Sequence, residues 1–170
     1  YEYKDGKPTE VPMPEDARII LVQSSRRALA VLSCELYRDP SKELIVIGIT
    51  GTKGKTTTAL MSKQMLDAAN IQTGYVGSNG VIYGSNRIEP TNTTPESYDI
   101  QYYMRKMADD GVKVLVMEVS SQALMQYRAD GTRFETVLFT NLYSDHIGTH
   151  EQALRLAVEF HTVGRDYFKV

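Results

Sequence analysis

The densest chemistry in the chain lies in one short run, Gly51-Thr52-Lys53-Gly54-Lys55-Thr56-Thr57. An apolar run, Leu44 to Ile49, directly precedes it, and a helical pattern directly follows. Glycines let the backbone wrap so that successive N–H groups point inward at phosphate oxygens. A helix N-terminus adds its partial positive charge. In such a loop Lys55 reaches the β- and γ-phosphates of a nucleotide, and the Thr56 hydroxyl suits Mg²⁺. The plainer alternative, a Gly-rich turn with an exposed lysine, is disfavoured by the strand before, the helix after and the Gly-Lys-Thr ending. Ile49 stands where the commonest form of this loop has its first glycine. The loop is therefore a variant, expected to hold a nucleoside triphosphate but not in the manner of a standard GTPase or motor ATPase.

Other chemistry-bearing residues sit at the ends of apolar runs. Glu118 closes Val112 to Met117; a carboxylate there, beside the phosphate loop, holds Mg²⁺ directly or through water, or else caps a neighbouring helix. Asn141 closes Thr136 to Thr140, a position that supports the loop or contacts the nucleotide. Asn92, Thr93 and Thr94 offer an amide, hydroxyls and N–H groups ahead of a helix, a combination suited to phosphate or carboxylate; Thr94 is also a plain cap before Pro95. Arg128 can pair bidentately with a phosphate or carboxylate, although an isolated arginine is usually a surface residue.

These residues need a scaffold, and the pattern supplies one. Residues 1–18 are charged and carry Pro8, Pro12 and Pro14, an extended or loose lead-in. Arg18 to Val22 is predicted as a short strand. Ser24 or Ser25 caps a helix with Ala28, Leu29, Leu32 and Leu36 on its apolar stripe. Asp39-Pro40-Ser41 breaks it and marks a domain boundary, with residues 1–40 before it and 41–170 after it. Beyond it strands and helices alternate. A helix with apolar Met61, Met65, Ala68 and Ala69 follows the loop; strands are predicted around Tyr75-Val76-Gly77 and Val81-Ile82-Tyr83. Thr94-Pro95-Glu96 reads as cap, first-turn proline and acid for a helix with Ile100, Tyr103, Met104 and Met107 on one stripe. A last helical stretch starts near Gln152. The fold class is α/β, an open, mainly parallel sheet of the P-loop type with helices on both faces.

Composition excludes several classes. The chain has 170 residues, 42% of them hydrophobic, which is enough for a core and too apolar for intrinsic disorder. Its single cysteine, Cys34, rules out an internal disulfide framework and a four-cysteine zinc site. A formal charge of −2 lends no support to nucleic-acid binding. No apolar run approaches the roughly 18 residues of a membrane helix, and the start is not a signal peptide. The start without Met and the stop at Lys169-Val170 are those expected of a fragment.

Ile49-Thr50-Gly51-Thr52-x-Gly54-Lys55-Thr56-Thr57 resembles the ATP loop of the Mur ligases and of their folylpolyglutamate synthetase relatives. Glu89 to Pro95 (EPTNTTP), Met117 to Ser121 (MEVSS) and Thr140-Asn141-Leu142-x-x-Asp145-His146 follow in that family's order and spacing, so the resemblance spans roughly residues 18–148. It implies a cytoplasmic, monomeric ligase using ATP and Mg²⁺ in peptidoglycan precursor synthesis. ATP would phosphorylate the terminal carboxylate of a UDP-N-acetylmuramoyl-dipeptide, and the amine of a diamino acid would attack the acyl phosphate. The work left to the protein is positioning and charge neutralisation.

The same resemblance gives Lys55, Glu118 and His146 catalytic roles, with Thr56, Glu118 and His146 at magnesium. Gly51 to Thr57 and Asn141 would hold the nucleotide. Asn92, Thr93, Thr94, Ser120, Gln126 and Arg128 would hold the UDP-linked substrate. His150 and His161 match nothing in the family. Gln122 stands where the family commonly has histidine. Glu159 to Val170 faintly resembles the lead-in to a carbamylated, magnesium-bridging lysine that would fall just past Val170; Lys169 is out of register for it. The domain for the incoming amino acid is not in the chain, so turnover by this segment alone is not expected. Rival assignments are a folylpolyglutamate- or cyanophycin-type ligase, which would lack the Asn-Thr-Thr-Pro and Gln126-x-Arg128 signature, and a catalytically silent binding or structural domain.

Overall fold

The structure, a computed structural model, describes residues 20–90, 92–141 and 143, positions 16 and 18, and the backbone of 2–4 and 7–9. The lead-in forms a small antiparallel pair, β1 (Glu2–Lys4) and β2 (Lys7–Thr9). No described residue of Arg18 to Val22 lies in a strand, and Ile20 and Leu21 are largely exposed. An apolar run becomes a strand only where a neighbour offers hydrogen bonds, and no strand among the described residues pairs with these.

Ser24 Oγ accepts from the Arg27 N–H and starts α1 (Ser25–Leu36) as its sequence predicts. The chain then turns through Arg38 and Asp39, both at positive φ, into a short 3-10 turn at Pro40–Lys42. The expected inward stripe of α1 is not the buried one. Ala30 and Ser33 face inward, whereas Leu29, Leu32 and Leu36 are exposed. Small residues permit close approach to the 127–131 turn, where Cys34 Sγ meets the Gly131 carbonyl at 3.3 Å. Tyr37 packs edge-on against Tyr98 and Tyr102.

The main sheet comprises β3 (Ile45–Thr50), β4 (Thr73–Gly77), β5 (Gly80–Tyr83), β6 (Asn86–Ile88), β7 (Val114–Glu118) and β8 (Thr136–Phe139), in the order β6-β5-β4-β7-β3-β8. Strands β4, β7, β3 and β8 run parallel, and β5 and β6 extend one edge as antiparallel strands. The open, mainly parallel sheet is thus as expected. Alternation along β7 divides the core: Val114 and Val116 join Ile49, Tyr75 and Ala59 under helix α2 (Lys55–Ala68), while Leu115 and Met117 join Val46, Val76, Ile100, Met104 and Met107 under helix α3 (Ser97–Asp109). Helices therefore cover both faces. On α2, Ala59, Leu60 and Leu66 make the contact, and Met61 and Met65, apolar residues that mark the helix in the sequence, are exposed.

The stripe of α3 is as predicted, but its cap is not. Glu96 is the N-cap residue and Pro95 precedes the helix; Thr94 is wholly buried and bonded elsewhere. A further short helix, α4 (Ser121–Met125), starts from Ser120, whose Oγ accepts from the Ala123 N–H.

Candidate functional site

The carboxyl ends of β3, β4, β7 and β8 lie side by side, the place where open α/β sheets gather ligands. Ile49 pairs with Glu118 across β3 and β7, so the loop after β3 opens directly beside the carboxylate that ends β7. Glu118 shares the pleat face of Val114 and Val116 and so projects to the α2 side.

The loop is held from below by the segment after β8. The Thr52 N–H donates to the Asn141 carbonyl at 3.0 Å. Asn141 also clasps the Lys53 backbone with its side chain: Oδ1 accepts from the N–H and Nδ2 donates to the carbonyl, both at 2.9 Å. Thr140 Oγ1 donates to the same carbonyl at 2.7 Å, and the Tyr143 N–H donates to Thr52 Oγ1 at 3.0 Å. Gly51, at φ +132°, packs so closely on Thr140 and Asn141 that a Cβ would collide with both. Gly54, in the left-handed region, leads into α2, which no side chain caps, unlike α1 and α4. Lys55 Nζ donates to the carbonyls of Gly51 at 2.8 Å and Thr52 at 3.1 Å, folding back over the loop. Thr57 is exposed on the first turn of α2.

Glu118 is fully buried, and its two oxygens have different partners. Oε1 accepts from Tyr75 Oη and from the Ser78 N–H at 3.2 Å. Oε2 accepts from Thr56 Oγ1 at 2.9 Å and from Ser78 Oγ at 3.4 Å. The bonds satisfy a charge that would otherwise be costly to bury. Burial first, then the bond to Glu118, push the Tyr75 phenol above its ordinary value, which keeps it a donor. A hydroxyl and a carboxylate converging at the loop mouth form an all-oxygen set, the chemistry that Mg²⁺ takes with nucleotide phosphates. The residues present fit a magnesium nucleotide.

On the other side of Glu118, Thr94 Oγ1 donates to the Glu118 carbonyl and accepts from the Ser120 N–H, each at 2.9 Å. Thr93 meets Ser78 Oγ at 3.0 Å, placing it beside the carboxylate cluster. Arg128 donates to the Thr94 carbonyl at 3.0 Å and pairs with Glu96 at 2.9 Å. The predicted substrate residues Thr93, Thr94, Ser120 and Arg128 are therefore one connected group. Gln126 joins only at 3.5 Å through Arg26, and exposed Asn92 lines a small neighbouring cavity with Gly77, Glu89 and Pro95. His146 lies outside the described residues, as do Thr91 and the stretch around Gln152.

Tyr75, Gly77 and Ser78 belong to the site and escaped the sequence reading, which took residues 75–77 only as strand. The available signal was their position at the end of a strand preceding a Gly/Asn turn, alongside the strand that carries Glu118.

Comparison with known proteins places these features. The Mur ligase middle domain matches residues 49–161. The UDP-N-acetylmuramoyl-L-alanyl-D-glutamate--2,6-diaminopimelate ligase of Clostridium perfringens (strain 13 / Type A) is 42% identical over 142 residues, covering 84% of this chain and 29% of that protein. The ligase of the same name from Bacillus licheniformis is 44% identical over 136 residues, covering 80% and 28%. A solved structure of such a ligase superposes with a TM-score of 0.66 at 23% identity, over 79% of this chain and 29% of that one, and shares the fold. The chain thus spans less than a third of the length of these relatives. By its loop, its sheet and the extent of the match, the chain belongs to the Mur ligase family and carries that family's middle domain.

Proposed function

We propose that the chain is the nucleotide-binding centre of an ATP-dependent ligase of peptidoglycan precursor synthesis. The full-length protein would join 2,6-diaminopimelate to the D-glutamate of UDP-N-acetylmuramoyl-L-alanyl-D-glutamate. The observation that carries the reading is the buried Glu118 carboxylate bonded to Thr56 at 2.9 Å at the mouth of the phosphate loop. The substrate assignment follows the names of relatives at 42–44% identity. Residues 1–40 would end a preceding domain and its linker, and 41–170 belong to the nucleotide domain. No helix among the described residues is long and apolar enough to cross a membrane; the full-length protein would act as a monomer in the cytoplasm.

When bound, Mg·ATP supplies the phosphoryl group that activates the acceptor carboxylate. Gly51 to Thr57 would hold its phosphates, with Lys55 exchanging the Gly51 and Thr52 carbonyls for phosphate oxygens. Thr56 and Glu118 would hold magnesium, joined by His146 as the family resemblance implies. Asn141 fixes the loop from beneath, and Asn92, Thr93, Thr94, Ser120, Gln126 and Arg128 orient the UDP-linked acceptor. The cluster beside Glu118 brings acceptor-side and nucleotide-side residues within a few hydrogen bonds of each other, which is the positioning a phosphoryl transfer needs.

The test is ADP release by the full-length protein supplied with Mg·ATP, the UDP-dipeptide and diaminopimelate. Release should require all three, and Lys55→Ala should lower kcat/KM about 10²–10³-fold, the usual scale for losing one preorganised charge-stabilising donor. Turnover unchanged by Lys55→Ala, or release that a folate or another acceptor supports in place of the UDP-dipeptide, would refute the assignment.

A further inference from the structure

We infer that Tyr75 is a positioning residue that sets the orientation of the Glu118 carboxylate and thereby the magnesium affinity of the site. The inference rests on reading the loop and Glu118 as a magnesium–nucleotide site. Tyr75 is wholly buried, its ring packed in the cluster with Ile49, Ala59 and Val116 beneath α2. It pairs with Val116 across β4 and β7, so Glu118 lies two residues farther along β7 on the same pleat face. From there its hydroxyl bonds to Glu118 Oε1 and accepts from the Asn79 N–H at 3.2 Å.

Two features make this more than a filled hydrogen bond. First, the oxygens are divided: Tyr75 and the Ser78 N–H take Oε1, which turns Oε2 toward Thr56 Oγ1, the other group expected at the metal. A carboxylate free to rotate would not keep an oxygen directed at Thr56; here partners on both oxygens hold its plane. Second, the contact exists only because residue 77 is glycine. A Cβ there would lie against both Tyr75 Oη and Glu118 Oε1. Partners of this kind behind a metal ligand typically govern metal affinity 10–100-fold.

The experiment is a Mg²⁺ titration of nucleotide binding to the full-length protein, followed by calorimetry with ATP. Tyr75→Phe, which removes only the hydroxyl, should raise the Mg²⁺ concentration at half-saturation about 10-fold while changing metal-free ATP affinity by less than about twofold. Gly77→Ala, which forces the two groups apart from the other side, should reproduce the same metal-selective loss and serves if Tyr75→Phe does not fold. Ser78→Ala, which removes the 3.4 Å hydroxyl contact to Oε2 and the 3.0 Å contact to Thr93 but leaves Oε1 held by Tyr75 and the Ser78 N–H, should shift magnesium dependence far less. An unchanged magnesium dependence in Tyr75→Phe, or an equal weakening with and without metal, overturns the inference while leaving the nucleotide site standing. Failure of the unmodified protein to bind ATP with magnesium dependence removes the site reading and the inference together.

Discussion

Thr94 offers a decisive separation of structural from substrate-binding roles. Its side chain is wholly buried, and its hydroxyl donates to the Glu118 carbonyl and accepts from the Ser120 N–H, both at 2.9 Å. Thr94→Val keeps the shape and removes both bonds. Leaving a buried carbonyl unpaired costs about 1–3 kcal/mol, and the partly buried Ser120 N–H adds about 1 kcal/mol, since water reaches it in part. The expected loss is about 2–4 kcal/mol, measured by urea unfolding followed by far-UV circular dichroism. For a loss near 3 kcal/mol the Tm should fall by roughly 6–12 °C. Thr94→Ser keeps the hydroxyl and forfeits one buried methyl, so it should lose only about 1 kcal/mol. If Thr94 were held loosely and served the substrate alone, Thr94→Val would leave stability within about 0.5 kcal/mol and raise only the KM for the UDP-dipeptide. That result would refute the reasoning, because it would mean that the two backbone groups find other partners at no cost.

Two further outcomes follow from the geometry. Gly51→Ala must place a methyl against Thr140 and Asn141 at φ +132°, so it should destabilise the protein by about 1–3 kcal/mol and abolish saturable ATP binding; intact binding would show that the loop tolerates another path. Hydrogen bonds from Arg105 hold the Glu43 carboxyl below its ordinary value. Because the folded state lowers that value, the contribution is complete above the ordinary glutamate range and is lost as pH falls through the lowered one. Glu43→Gln should therefore lower the neutral plateau of a stability–pH profile slightly, leave its acid end in place and so flatten the acid limb, whereas an unchanged plateau and acid limb would show that the pair contributes nothing measurable.

What could be read from the sequence was what short-range chemistry decides. The strand-loop-helix around Gly51 to Thr57 carries its own instructions, and α3 has one clear apolar stripe, so Ile100, Met104 and Met107 are buried as expected. The buried faces of α1 and α2 are not legible in the sequence because both helices carry apolar residues on more than one side. The sheet and the 127–131 turn select the side with Ala30, Ser33 or Ala59, which allows backbones to approach. Strand β6 is three residues with Arg87 at its centre and gave no apolar signal. Tyr75 and Ser78 meet Glu118 across 43 and 40 positions of sequence, and no local spacing encodes such a meeting.

Residue 118 joins the two halves of the proposed chemistry, and it does so through different atoms. Its carboxylate is bound by Thr56, Tyr75 and Ser78 on the nucleotide side, and its carbonyl by Thr94 on the acceptor side. Two residues on, Ser120 caps α4, which leads into Gln126 and Arg128. Side chains alternate faces along β7, with Val114 and Val116 under α2 and Leu115 and Met117 under α3. A slip of one residue in β7 would turn the carboxylate to the α3 face, away from Thr56, and at the same stroke carry the Thr94 contact off its carbonyl. Neither half can be adjusted alone. The packing of Val116 and Met117 on opposite helices is thus what would hold the proposed nucleotide and acceptor residues in register with each other.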